Sequence, residues 1–560
     1  MFIEHPLLKA NAIESRAYQV NIARSCLTRS TLVVLPTGMG KTIVALEVIA
    51  GVLKDRDGRI LFLAPTKPLV EQHAATLRDL LLREDIAVFT GEVKPADRID
   101  LWKDNKIITS TPQVIKNDLE AGRITLDDVG LIIFDETHRA VGDYAYVFIG
   151  EEYKKQEGLA LGITASPGSD PKKILEVCEN VGINSVEIRT EYDPDVVNYV
   201  HDISLDWIRV DVPEELRFVI ELLKKAKDRQ VKQLRKCGYL RTGRPMVTTK
   251  KLLEAGKRIQ QELRSGVKRG QLYQASTAQA IAMKINHAIE LAETQGADSL
   301  RSYFDRLRQE EKSKTASKAS KRVLKIPEVE RASRACSKIH LDEPKMMKVQ
   351  DIVRNQIKGK EDSRIIVFTH YRDTSETVTK RLSTLEEVRP VRFVGQATRG
   401  ADKGLSQKEH VEMIEDFKKG KYNVLVATSV AEEGLDIPST DMVVFYEPVP
   451  SEIRTIQRRG RTGRKMPGKV VVLGSKATRD EAYFYSAQRK ERKMHRELEK
   501  LRQGLKQMIF VGEPGGKVFE QIGEIENPYE PLGELLARGK EQKRVVSKKK
   551  GQTTFDDFGE

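Results

Sequence analysis

Three stretches of this 560-residue chain place reactive side chains at spacings that can do chemistry. The first, Leu35-Pro36-Thr37-Gly38-Met39-Gly40-Lys41-Thr42, joins the apolar run Thr31-Leu32-Val33-Val34-Leu35 to the helical pattern Ile43-Val44-Ala45-Leu46-Glu47-Val48. A strand, a glycine turn and a helix start form an anion cradle. The first N–H groups of a helix lack partners within it and carry partial positive charge. Gly38 and Gly40 let the backbone approach a phosphate, Lys41 supplies a point charge, and Thr42 offers a hydroxyl to Mg2+. One position departs from the strict P-loop pattern, which opens with Gly where this chain has Leu35.

The second stretch is Leu131-Ile132-Ile133-Phe134-Asp135-Glu136-Thr137-His138. Four apolar residues predict a buried strand with two carboxylates at its end. Asp135 can hold Mg2+ through water, and Glu136 can orient and deprotonate an attacking water. The third is Gln457-Arg458-Arg459-Gly460-Arg461-Thr462-Gly463-Arg464. Arg461 and Arg464, three apart at a helix-like spacing, can both address one phosphate from a separate domain. Upstream, Gln19 in Arg16-Ala17-Tyr18-Gln19 carries an amide able to donate to and accept from one adenine edge.

The elements that must position these residues follow from hydrophobic patterning. Strands are predicted at Arg59–Ala64, Lys106–Thr109 and Leu161–Ile163, each ending in a polar turn. After residue 345 the strand–helix alternation restarts, with strands at Arg364–Phe368, Val391–Val394, Asn423–Ala427, Met442–Tyr446 and Lys469–Leu473. Thr66 and Thr111 follow strands and precede helices. Their hydroxyls suit a nucleic-acid phosphate, although an ordinary helix cap has the same sequence appearance. Between the two halves the pattern turns helical, with Leu216, Val219, Ile220 and Leu223 on one face and dense Lys and Arg from Lys224 to Arg269.

A net charge of +14 with 32% charged residues favours polyanionic partners. The four cysteines, Cys26, Cys178, Cys237 and Cys336, are too far apart in sequence for a zinc knuckle. No stretch reaches the roughly 18 apolar residues of a membrane span, and no signal peptide is read. A soluble, cytoplasmic protein is expected.

The ordered motif set from Arg16 to Arg464 resembles that of superfamily 2 helicases with a DEAH-type box, here Asp135-Glu136-Thr137-His138. The helical insert, with Pro36–Thr42 and Val430-Ala431-Glu432-Glu433-Gly434-Leu435-Asp436, narrows the resemblance to archaeal Hef helicases, kin to the Fanconi-anaemia group M translocases. This resemblance implies an α/β fold: two RecA-like parallel-sheet domains with a helical insert domain between them, and ATP with Mg2+ in their cleft. The expected divisions are 1–204, 205–340 for a basic insert that grips nucleic acid, 341–500, and a tail over 501–560.

The same resemblance implies that Arg16 and Gln19 read adenine, and that Thr37, Gly38, Gly40, Lys41 and Thr42 hold phosphates and Mg2+. Asp135 and Glu136 would serve Mg2+ and water. His138, Thr164 and Ser166 would couple hydrolysis to movement. Gly434 and Asp436 would meet the nucleotide, and Gln457, Arg461 and Arg464 would complete the site. Thr66, Thr111, Thr369 and Thr428 would contact one nucleic-acid strand. The implied activity is ATP-dependent action on forked or branched DNA, with movement 3′ to 5′, in a nucleoid-associated setting of an archaeal cell. An RNA-dependent ATPase of the same architecture and a non-catalytic nucleic-acid scaffold at the sliding clamp are the alternatives. Glu491-Arg492-Lys493 resembles the start of a nuclease signature, but Glu497 stands where Asp is required, and a surface helix without a nuclease is expected. Gln552, Phe555 and Phe558 near the C-terminus resemble a sliding-clamp-binding peptide, with Gly559 in place of a second adjacent aromatic.

Overall fold

The computed structural model describes residues 2–510 apart from 56–57, 157, 169, 192, 200–202, 242–246, 266–269, 314–316, 340–342, 397–403, 433–436 and 463–466. Two parallel sheets dominate. The first contains β1 (Thr31–Val34), β2 (Arg59–Leu63), β3 (Ile86–Phe89), β4 (Ile107–Ser110), β5 (Val129–Asp135), β6 (Leu159–Thr164) and β7 (Ser185–Ile188). Its spatial order is β3-β4-β2-β5-β6-β1-β7. The second contains β8 (Ile203–Val210), β9 (Ile365–Phe368), β10 (Pro390–Phe393), β11 (Val424–Ala427), β12 (Met442–Phe445) and β13 (Gly468–Ser475), ordered β10-β11-β9-β12-β13-β8. Central strands such as β1, β2, β9, β11 and β12 are buried along their whole length. Helices cover both faces of a parallel sheet, so such strands read as continuous Val, Ile and Leu.

Chain order and sheet membership part company at β8. This strand precedes the helical insert, yet it runs beside β13 in the second sheet, in register from Ile203 with Gly468 to Val210 with Ser475. The boundary expected after residue 204 therefore falls inside a strand of the second domain. Trp207 of β8 stacks flat on Phe484 of the long terminal helix Arg479–Phe510, centroids 4.1 Å apart. Gly474 permits this, because a Cβ there would lie 2.1 Å from the Trp207 ring.

The insert is all helical among its described residues, from Glu214–Lys236 through Thr249–Arg264, Gly270–Thr294 and Ala297–Lys312 to Lys318–Val323 and Pro327–Cys336. Leu216, Val219, Ile220 and Leu223 face its core, as their spacing predicts. Part of the expected basic grip already has partners within the bundle. Lys227 donates to Val247 O and Asn286 Oδ1, and burial lowers its pKa. Lys224 pairs with Glu293 at 2.8 Å, and Arg229 with Glu328 at 2.6 Å. The helical spacing that shows a basic stripe does not show which of its members meet acids on the next helix.

The insert is fastened to the second sheet domain. Lys345, 1% exposed, donates to Thr294 O and to the Asp480 carboxylate. Arg479 reaches Glu290 and Glu293, and Thr374 Oγ1 donates to Gln295 Oε1 at 2.7 Å. Burial raises the Asp480 pKa, against the opposing pull of Lys345. Asp480→Ala leaves a buried ammonium unpaired and should cost about 3–5 kcal/mol. The expected outcome is a lower thermal unfolding midpoint for Asp480→Ala, largely restored in the double variant Lys345→Met with Asp480→Leu.

Candidate nucleotide and nucleic-acid site

The phosphate loop follows β1 and precedes the helix Lys41–Asp55. Gly38 and Gly40 have φ of 86° and 74°, which favours glycine. Gly40 has a second constraint, since a Cβ there would lie 2.2 Å from Gln19 Nε2. Leu35 is wholly buried, its N–H bonded to Thr164 O, and its φ is not positive. A strand end needing no left-handed residue tolerates Leu where the strict motif has Gly. The adenine-reading candidates meet the loop directly. Tyr18 Oη donates to Met39 O at 2.9 Å and Gln19 Nε2 to the same oxygen at 3.2 Å.

Asp135 ends β5 and is 5% exposed. Its Oδ1 accepts from Glu136 N–H, and its Oδ2 lies 2.9 Å from His73 Nε2. His73 stacks on Phe62 with centroids 4.3 Å apart. With both oxygens already engaged, Asp135 suits a cation held through water better than direct ligation. His73 gave no sequence signal, because its partner lies 62 positions away. Glu136 is left-handed at φ 48°, ψ 49°, a conformation costing roughly 1–2 kcal/mol for a side-chain-bearing residue. That turn places its carboxylate beside His138, Oε2 to Nδ1 at 3.3 Å.

From Glu136 a run of contacts crosses the strand ends. His138 Nδ1 is 3.0 Å from Thr164 Oγ1, Ser166 N–H donates to Thr164 Oγ1, and Ser166 Oγ donates to Met494 Sδ at 3.1 Å. Met494 and Leu498 belong to the terminal helix but lie in the core of the first domain. The stretch expected to be only a surface helix is thus partly buried across the cleft, and Glu491 pairs with Arg459 at 3.0 Å.

The opposite wall is the helix Glu452–Arg459 and the turn after it. Glu432 organises it. Arg454 donates bidentately to its carboxylate, Arg458 Nε donates to Oε1, and Arg461 Nη2 donates to its backbone oxygen. Burial alone would raise the Glu432 pKa, but the Arg454 and Arg458 guanidinium groups outweigh it and hold the carboxyl below its usual range. Arg458 is fully buried, 4.9 Å from the Phe368 centroid, and nothing in the run of arginines around it signals that burial. Gln457 and Arg461 are 5% and 6% exposed. The two walls touch at Gly460, where a Cβ would lie 2.4 Å from Thr37 Cβ. The Thr37 hydroxyl is buried without a hydrogen-bond partner. An orphaned hydroxyl within a glycine-shaped, lysine-bearing loop fits a phosphate group.

Gly434, Asp436, Arg464, Gln552, Phe555 and Phe558 lie outside the described residues. Thr66 and Thr111 each stand at a helix start, yet neither side chain caps its helix. Thr66 Oγ1 is buried without a partner. Thr369 is wholly buried and donates to Tyr371 O, while Thr428 is 7% exposed. These threonines follow β2, β4, β9 and β11, which are adjacent pairs in their sheets. The nucleotide motifs follow β1, β5 and β6, a separate adjacent trio.

Comparison with known proteins agrees with this geometry. Residues 12–169 match the family "Type III restriction enzyme, res subunit", 215–343 match "Putative ATP-dependent RNA helicase, helical bundle", and 345–466 match "Helicase conserved C-terminal domain". Two motif-bearing parallel sheets with a helical bundle between them define an ATP-dependent superfamily 2 helicase. The crystal structure of the Pyrococcus furiosus Hef helicase domain aligns over 86% of this chain and 100% of that one, with TM-score 0.66 and 46% identity. The chain belongs to the Hef helicase family. A Methanocaldococcus jannaschii protein named "Putative ATP-dependent RNA helicase" is 44% identical over 90% of this chain and 63% of its own length. The Neurospora crassa ATP-dependent DNA helicase mph1 is 34% identical over 84% of this chain and 41% of its own. The chain thus spans from about two fifths to just under two thirds of these relatives. Among the described residues, no helix is long and apolar enough to cross a membrane.

Gly460→Ala should wedge the two walls apart at Thr37. An ångström-scale misplacement of the second wall is expected to lower ATPase kcat by roughly tenfold or more. Steady-state ATPase assays on a variant whose thermal midpoint matches the parent would check this.

Proposed function

We propose that this chain couples ATP hydrolysis to movement along DNA, acting on forked or branched molecules of the kind formed when replication stalls. The observation that carries the reading is the run of contacts from Glu136 through His138, Thr164 and Ser166 to Met494. It links the residue beside the reacting water to a helix rooted in the other domain. A change at the γ-phosphate is thereby felt where the two domains meet.

In this reading the N–H groups of the phosphate loop, with Lys41, bind the ATP phosphates. Thr42 and, through water, Asp135 would hold Mg2+, which neutralises charge on the outer phosphates when bound. Glu136 accepts a proton from the water that attacks the γ-phosphorus, while the bond from that phosphorus to the bridging oxygen breaks and ADP leaves. Arg461 and Arg464 stabilise charge on the transferred phosphoryl group from the second wall. Arg16 and Gln19 read the base, and Gly434 and Asp436 approach the nucleotide from the second domain. Thr66, Thr111, Thr369 and Thr428 bind successive phosphates of one strand. Domain closure then shortens the distance between the two threonine pairs and draws the strand along by alternate grip. The direction 3′ to 5′ and a nucleoid-associated, cytoplasmic setting come from family resemblance. Gln552, Phe555 and Phe558 extend the proposal to a sliding-clamp partner.

DNA is favoured by relatives named as DNA helicases. RNA remains the second reading because the Methanocaldococcus relative is named for it. The test is ATPase rate with no polymer, single-stranded DNA, forked DNA and matched RNA at one salt concentration, since phosphate-driven binding is salt-steep. Forked DNA should stimulate most, and Lys41→Ala should abolish turnover with every polymer. Stimulation by RNA alone would overturn the DNA reading, and unchanged turnover in Lys41→Ala would overturn the site.

A further inference from the structure

The first domain ends in a structured segment that lies outside the motifs and between two matched family ranges, 12–169 and 215–343. Arg189 pairs with Glu187 and Asp195, and the Asp193 carboxylate accepts from Thr190 N–H and Oγ1. Val196 is wholly buried in the same core as Tyr18 and Leu35. These contacts present Tyr199, which ends the short turn Val197–Tyr199 and donates its N–H to Val196 O. The Tyr199 ring lies 5.1 Å from the Arg16 guanidinium carbon and 5.6 Å from the Tyr18 ring, tilted at 58°. The next described strand, β8, begins at Ile203 in the second sheet. The chain from Tyr199 to that strand can span at most about 14 Å.

Arg16 and Tyr18 immediately precede Gln19, whose amide donates to Met39 O of the phosphate loop. An arginine on an aromatic ring is held flat, with its opposite face available to a second planar group. The Arg16 side chain is 30% exposed, so a face can be reached from solvent. We propose that Tyr199 is a positioning residue for base recognition. Its ring holds the Arg16 guanidinium parallel to an incoming purine, in register with the Gln19 amide. Because Tyr199 is the last described anchor before the chain crosses to the second sheet, base binding is also felt at the connection between the domains. This inference rests on the proposed base-reading role of Arg16 and Gln19.

A plain packing role would be met by any side chain of similar bulk. Tyr199→Leu keeps bulk and removes the aromatic face, whereas Tyr199→Phe keeps the face and loses only the hydroxyl. ATPase kinetics with ATP and GTP, with saturating DNA, separate the two. Tyr199→Leu should raise KM for ATP by roughly fivefold, leave kcat within about twofold of the parent, and narrow the preference for ATP over GTP. Tyr199→Phe should match the parent. Parent-like KM and base preference in Tyr199→Leu would overturn the inference, as would loss of kcat with KM intact, which marks a purely mechanical connection. Gln19→Ala serves as the reference. If it erases base preference while Tyr199→Leu does not, the Tyr199 inference alone fails. If Gln19→Ala leaves base preference untouched, the base-reading role of the segment fails and the inference falls with it.

Discussion

Parallel pairing is the constraint on which the rest depends. Every strand in both sheets runs the same way as its neighbours, so every strand delivers its carboxyl end to the same edge. Loops far apart in sequence are thereby gathered along one line, which is where ligands bind in open α/β sheets. The phosphate loop after β1, the carboxylates after β5 and Thr164-Ala165-Ser166 after β6 become neighbours for this reason alone. The strand ends left over, after β2 and β4, carry Thr66 and Thr111 on the side of the sheet away from β1. Nucleotide and nucleic-acid candidates are segregated along one edge but are joined by a shared β-sheet.

The second consequence concerns which parts can move together. The chain enters the second sheet at β8 before building the insert, and returns to it through the helix Pro344–Gly359. Lys345, Asp480, Arg479 and Gln295 then tie insert to sheet by buried polar contacts, each costly to break. Contacts between the two sheet domains include Gly460 on Thr37, Ile456 against the first domain's core, and the terminal helix through Met494 and Leu498, and these are mainly apolar rather than buried ion pairs. The sheet domains are therefore the two bodies expected to move relative to each other, with the insert carried by the second. The terminal helix Arg479–Phe510 spans both bodies. It is anchored by Trp207 and Asp480 at one end, and it meets Ser166 near Met494.

Legibility in the sequence tracks the range of the interactions. The phosphate loop and the carboxylate pair announce themselves because their chemistry is set by neighbours within a few residues. Central strands are readable because burial on both faces leaves an unbroken apolar run. Most edge strands are less so: β10 is readable at Val391–Val394, but β7 is partly exposed, and β8 mixes Ser204, Asp206 and Arg209 with apolar residues. Its place beside β13 depends on register with a strand more than 200 positions later. His73 against Asp135, Met494 against Ser166 and Arg458 between Phe368 and Glu432 were invisible for the same reason. The basic insert differs from expectation in one respect: Lys227 is drawn into the bundle, and Arg229 at its surface is already paired with Glu328.

In the proposed cycle, nucleotide and nucleic acid together draw the two sheet domains closed over the shared edge. The most direct measurement is energy transfer between dyes at Glu84→Cys in the first domain and Lys408→Cys in the second, both exposed, in a background lacking reactive Cys237. Adding a non-hydrolysable ATP analogue with DNA should shift transfer to a distinct value, and ATP with DNA should make single molecules alternate between the two. A single unchanging transfer value under apo, analogue-bound and turnover conditions would rule out closure of the two domains.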